Sequence, residues 1–261
     1  VSSGGILSVS GGTVNSVQVS SGGNLNAFSG SVSGITLSSG GSQGIYSGAS
    51  ASNTVINGGR ENVNSGGFAS GSQINDGGEQ IVGSNGNTSD TVVNSGGFQR
   101  VSAGGTASNT VISSGGNQNV YSGGNAVSTH LSSGGKQTVY SAGEATSTVV
   151  SDGGILNVSG GTVNSAQVSS GGKLNAYSGS VSNTTVNNGG SQGIYSGASA
   201  SDTVVNGGSQ NVYSGGSAVN THLSSGGKQT VIAGGEATST VVSSGGILNV
   251  SGGKVTSASV S

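Results

Sequence analysis

Eight acidic side chains, two histidines and no cysteine are all that this chain of 261 residues offers for acid–base or metal chemistry. The acids are Glu61, Asp76, Glu79, Asp90, Glu144, Asp152, Asp202 and Glu236. Cleaving a glycosidic bond takes two carboxyl groups only a few ångströms apart. Asp76 and Glu79 flank one Gly-Gly pair, and Asp90 and Asp202 recur in equivalent but distant phrases. No three or four of the acids gather, so the titratable groups do not converge as an active site requires. His130 and His222 stand in identical "THLSSGGKQTV" contexts, which reads as one surface histidine duplicated with its block rather than as a metal pair. Calcium-binding nonapeptides need Asp in "GGxGxD", whereas the turns here read "SSGGKQ". The expectation is a non-enzyme with no cofactor and no metal.

Composition narrows the classes further. Charged residues are 5% of the chain and the formal net charge is −2, so no basic cluster addresses nucleic acid. No apolar run approaches the ~20 residues that cross a bilayer. The first residues, "VSSGGILSVS", are already repeat sequence, so a signal peptide or membrane anchor is expected outside this stretch. Glycine is 55 of 261 residues and proline is absent, which excludes collagen. A flexible Gly/Ser coil would show no fixed spacing of apolar residues.

The spacing is fixed. Gly-Gly pairs begin at Gly4, Gly22, Gly40, Gly58, Gly77, Gly96, Gly115, Gly134, Gly153, Gly171, Gly189, Gly207, Gly226 and Gly245, in steps of 18 or 19. A short constant period marks a solenoid. Within "GGKQTVYSAGEATSTVVSDGG", from Gly134 to Gly154, Gln137 and Val139 alternate with Lys136, Thr138 and Tyr140, which is the strand period. Ala145 and Thr148 are three apart, which breaks the alternation and implies a bend. One period therefore reads as about three short strands joined by two glycine corners and a bend. The segments are too short for helices. Stacked at about 4.8 Å, the periods predict an all-β, parallel, right-handed β-helix of about 14 rungs, roughly 65 Å long, in one domain over residues 1–261.

Columns follow from the stacking. One inward column runs through Val63, Val82, Val101, Val120, Val139, Val158, Val212, Val231 and Val250. A second runs through Ile56, Ile74, Val93, Ile112, Leu131, Val150, Val186, Val205, Leu223 and Val242. A third is alanine, at Ala51, Ala69, Ala107, Ala126, Ala145, Ala200, Ala218 and Ala237, whose small size suggests a tight corner. Gln43, Gln80, Gln99, Gln118, Gln137, Gln192, Gln210 and Gln229 share one inward slot, and eight threonines from Thr54 to Thr240 share another. Amides stacked at strand spacing satisfy one another along the axis, so both ladders read as structural.

The repeated phrase "SSGGxQxVYSGGxAxxTxV" resembles the roughly nineteen-residue repeats of AIDA-type autotransporter adhesins of Gram-negative bacteria, over essentially the whole chain. The resemblance implies a passenger secreted through the periplasm to the bacterial surface by its own C-terminal outer-membrane β-barrel, which would be its sole membrane association. It implies O-linked heptose on serines, added by a dedicated heptosyltransferase. It also implies adhesion to host-cell glycans or proteins, self-association between copies, and biofilm formation. The family's acceptors lie at strand ends beside glycine turns. Carried over by position, the "YSG/YSA" corner supplies Ser47, Ser122, Ser141, Ser178, Ser196 and Ser214, with Ser10, Ser29, Ser65, Ser159 and Ser251 equivalent. The "SSGG" corner supplies Ser3, Ser21, Ser39, Ser95, Ser114, Ser133, Ser170, Ser225 and Ser244. Turn chemistry alone would also select serine at these places.

Two other functions compete. An ice-binding solenoid would present a flat outward array of threonine. The slot beside the Thr column instead holds Val55, Val92, Val111, His130, Val149, Val204, His222 and Val241, which is chemically irregular. A stalk that spaces another binding domain fits the same repeats.

Overall fold

The computed structural model describes residues Val1–Ser261 and contains strands, turns and bends but no helix. It forms two compact units, Val1–Thr129 and His130–Ser261. Each is a parallel β-solenoid.

In the first unit a typical rung is Arg60–Val63, Phe68–Ser70 and Gln73–Ile74. Each strand pairs in parallel with its counterpart one period away, for example Gln80 with Gln99 and Val82 with Val101. The third strands stack as Gln18–Val19, Thr36–Leu37, Val55–Ile56, Gln73–Ile74, Val92–Val93 and Val111–Ile112. The second unit repeats the plan. Its first-strand column runs Val139, Val158, Ala176, Ile194, Val212, Val231, Val250 in register. Its third strands begin at His130–Leu131 and end at Ser259–Val260. Both valine-rich columns are buried, except Val250, which is 55% exposed in the last rung of its unit.

The alanine column lies mid-strand, not at a corner: Ala69, Ala107 and Ala126 are the central residues of three-residue strands. Val32, Thr88, Val163 and Val181 occupy the same slot. The slot accepts valine as readily as alanine, so small size there does not mark a turn.

The bend has a backbone cause that alternation alone hides. Each rung places one residue at left-handed φ between its second and third strands: Ser16, Gly34, Asn53, Gly71, Asp90, Asn109 and Ser128 in the first unit, and Ser147, Ser165, Asn183, Asp202, Asn220, Ser239 and Ser257 in the second. Short polar residues tolerate that region best after glycine. The two glycines of a corner do different jobs. Gly66 has φ +70, whereas Gly67 leaves no room for a side chain, since a Cβ there would stand 2.5 Å from the carbonyl oxygen of Ile45 in the previous rung. The first glycine sets the turn and the second lets the rungs lie flush.

Candidate functional site: the corner serines and the ladders behind them

The corners are two-residue turns closed by a backbone bond from the second glycine, as in Gly5 N–H to Ser2 O (2.9 Å), Gly67 to Asn64 (2.8 Å) and Gly124 to Tyr121 (2.8 Å). Serine at such a turn points away from the core. At the first corner Ser10, Ser47, Ser65, Ser122, Ser141, Ser196, Ser214 and Ser251 are exposed. At the second, Ser3, Ser21, Ser39, Ser95, Ser114, Ser133, Ser170, Ser225 and Ser244 are exposed. Ser29, Ser159 and Ser178 are half-buried.

Those three, with Ser10, sit where the chain does not turn. Ile6–Asn15, Asn24–Ser33, Ile155–Asn164 and Lys173–Ser182 are continuous ten-residue strands through the expected corner, with register shifts in the pairing. The cause is length: Val9 to Val14 is five residues, whereas Val120 to Ala126 is six. One residue fewer converts a turn into a bulged strand. Ser251 likewise ends the strand Ile247–Ser251. The second corner comes in two backbone forms. Ser3, Ser114, Ser133, Ser170 and Ser225 adopt φ between 47 and 53, whereas none of the eleven first-corner candidates has a positive φ; Ser84, in the corner after Val82, does, at 49.

An aromatic ladder borders the first corner. Tyr177, Tyr195 and Tyr213 stack at ring distances of 5.1 and 4.5 Å, and Phe28 stacks on Tyr46 at 5.0 Å. Each of these rings precedes a candidate serine. Burial and the neighbouring Tyr213 push the Tyr195 phenol up. Gly44 and Gly193, in mid-strand, leave the space that the Tyr46 and Tyr195 rings occupy. The strand glycine of "QGIY" is the sequence sign of this packing.

Behind the corners the two polar ladders are one network. In the first unit Gln80, Gln99 and Gln118 each donate Nε2–H to the preceding rung, at 2.6, 2.7 and 2.6 Å. The threonine column donates into the same carbonyls, as Thr91 Oγ1 to Gln80 Oε1 (3.4 Å) and Thr110 to Gln99 (3.3 Å). In the second unit Gln210 and Gln229 continue the pattern at 2.9 and 2.7 Å, and Thr240 donates to Gln229 at 2.9 Å. Because every amide donates backwards, an amide whose preceding rung carries leucine has no acceptor. Gln43 follows Leu25 and Gln192 follows Leu174, and both Nε2 atoms are unpartnered.

Reading the acids as scattered left Glu61 unplaced. It stands in the glutamine slot between Gln43 and Gln80 and is fully buried. Its Oε2 accepts from Gln80 (2.6 Å) and Ser72 (2.9 Å), and its Oε1 has no partner. Burial holds its carboxyl above the usual range, against these hydrogen bonds. Glu79 lies outside between Arg60 and Arg100, at 2.8 and 2.7 Å, and Glu236 faces Lys254 at 3.5 Å. No group of three or more His, Cys, Asp or Glu side chains is placed to hold a metal ion. His130 and His222 face outward from their strands, and no helix is long and apolar enough to cross a membrane.

Comparison with known proteins follows from this geometry. A family model described as "Adhesin of bacterial autotransporter system, probable stalk" matches residues 25–78, 57–97, 84–135 and 214–261. A crystal structure of a TibC-catalysed, hyper-glycosylated TibA fragment superposes with a TM-score of 0.93 at 39% identity, over 97% of this chain and 93% of that one. No curated protein sequence matches.

Proposed function

The chain belongs to the AIDA family of bacterial autotransporter adhesins and is related to TibA, and from that premise we propose that it is a heptosylated surface passenger that binds host cells. The observation that carries this is the exposure of serine after serine at the glycine corners, on a backbone that repeats them rung by rung. Several corners leave open space: a Cβ at Gly48, Gly115, Gly134 or Gly226 would meet nothing within 4 Å, while the hydroxyls of Ser47, Ser141, Ser196 and Ser214 lie over the glycine of the next rung. A dedicated heptosyltransferase could reach these hydroxyls without unfolding a strand. The hyper-glycosylation of the TibA fragment supports the same assignment here.

Adhesion would then be avidity. Many identical sugars and polar edges give weak contacts that add once several engage together. Host-surface glycans or proteins are the partners, and copies of the chain bind one another in autoaggregation and biofilm. With 5% charged residues the bare surface neither steers nor repels a neighbour. Display on the bacterial outer surface follows from the family.

A second reading is a stalk that presents another binding domain, and the family description itself includes that word. Bacteria displaying the chain, with and without Ser→Ala at the exposed corners, separate the two. An adhesin loses most host-cell binding when the serines go, at equal surface display. Unchanged binding would leave the stalk.

A further inference from the structure

Two corners are one residue short. At Asn57–Gly58–Gly59 and Asn206–Gly207–Gly208 a single residue separates the inward Ile56 or Val205 from the glycines, where "VISSGG" has two. The usual turn cannot close. Elsewhere in the first unit the second glycine of this corner donates three residues back, at Gly5, Gly23, Gly41, Gly78, Gly97 and Gly116, but no such bond closes the corner at Gly59. The missing residue leaves a cleft of about 320 Å³ floored by Gly40, Gly41, Gly58, Gly59 and Gly77 and rimmed by Ser42, Arg60 and Glu79. That volume suits a monosaccharide-sized ligand.

The charge at this rim is unlike that of the rest of the chain. Both arginines of the protein, Arg60 and Arg100, converge on the one carboxylate of Glu79, whose two oxygens are thereby occupied. Two guanidinium groups against one carboxylate leave a surplus positive charge. The Arg60 side chain is 57% exposed, with donors to spare after its bonds to Glu79. Asp76, beside the cleft, leans its carboxyl away over Gly96. Guanidinium and paired backbone N–H groups are the standard means of holding a carboxylate. Nothing on the rim is apolar, so a hydroxylated ligand fits better than a peptide side chain.

We propose that the short corner at Asn57–Arg60 is a cleft for a carboxylated monosaccharide of a host-surface glycan. It deepens the adhesin reading by naming one ligand class. The duplicated corner is an internal control: its cleft is lined by Asn187, Asn188, Asn206, Gly207, Ser225 and Gly226, with Ser209 where Arg60 stands and Lys228 where Glu79 stands, so it lacks the guanidinium pair.

The test is ¹H–¹⁵N NMR of the full, unglycosylated chain titrated with galacturonate, N-acetylneuraminate, methyl galactoside and acetate. The Gly58 and Gly59 amide signals should move saturably with the sugar acids and not with methyl galactoside. Arg60→Gln should weaken binding at least tenfold, with Arg100 still holding Glu79. Inserting one serine after Asn57 should close the turn and abolish binding while keeping every charge. Three results would each overturn the assignment: no shift, an equal response to acetate or the neutral sugar, or an equal response at Gly207 and Gly208. Host-cell binding by the serine-stripped chain is a separate measurement, so either idea can fail while the other stands.

Discussion

Glu61 is the residue at which a ladder of amides contains one acid. Its neutral form mimics glutamine, accepting from Gln80 and carrying a proton on the oxygen that has no partner. Its charged form places an unpaired charge in the core, which is costly. The groups packed around it are Gln43, Gln80, Thr54 and Ser72, none of them charged. A carboxyl whose native pKa is raised stabilises the fold fully below its unfolded value, and that contribution is lost as pH rises through the native pKa. The chain should therefore lose stability as pH rises from about 4 towards neutrality, and Glu61→Gln should remove that loss. Urea unfolding of both proteins across this range checks it. The variant should be the more stable at neutral pH and the two should converge in acid. Parallel profiles would show that Glu61 does not titrate in the core.

The corner is the element on which both fold and function depend. Its two glycines predict different costs. Gly67→Ala should destabilise the fold by about 2 kcal/mol or more, because a Cβ meets the Ile45 carbonyl and the rungs must part. Gly48→Ala should cost nearer 1 kcal/mol, because only a positive φ is strained in open space. Denaturant midpoints of the two variants give the comparison, and equal losses would contradict the division of labour. The three-strand rung, its inward columns and the two ladders were legible in the sequence because period two and period 18–19 coincide at residues such as Gln137 and Val139. Three features were not. The left-handed bend leaves only a break in alternation between Ala145 and Thr148. The merged strands at Ser10, Ser29, Ser159 and Ser178 depend on a deletion of one residue, which the phrases "SGGTV" and "SGSV" conceal. Glu61 reads as one of eight scattered acids until its register against Gln43 and Gln80 is known. The serine corners were legible as positions, but their differing exposure and backbone form were not.

At the scale of the whole molecule, blocks of rungs recur: "GGILSVSGGTVNSVQVSSGG" at Gly4 returns nearly unchanged at Gly153. Duplication of this kind multiplies whatever each rung carries and leaves few places for a unique site. The Arg60 cleft is one, since its copy at Ser209 lacks the guanidinium pair. If the corner serines carry the sugars proposed above, their spread along the chain makes function a matter of number. The most direct measurement is the intact mass and peptide map of the chain produced with and without a dedicated heptosyltransferase. Heptosylated corners predict a series of added masses in multiples of one heptose. These should map to exposed serines such as Ser47, Ser65, Ser122, Ser196 and Ser214, with Ser29, Ser159 and Ser178 modified least. Identical masses, or sugar placed without regard to the corners, would contradict it.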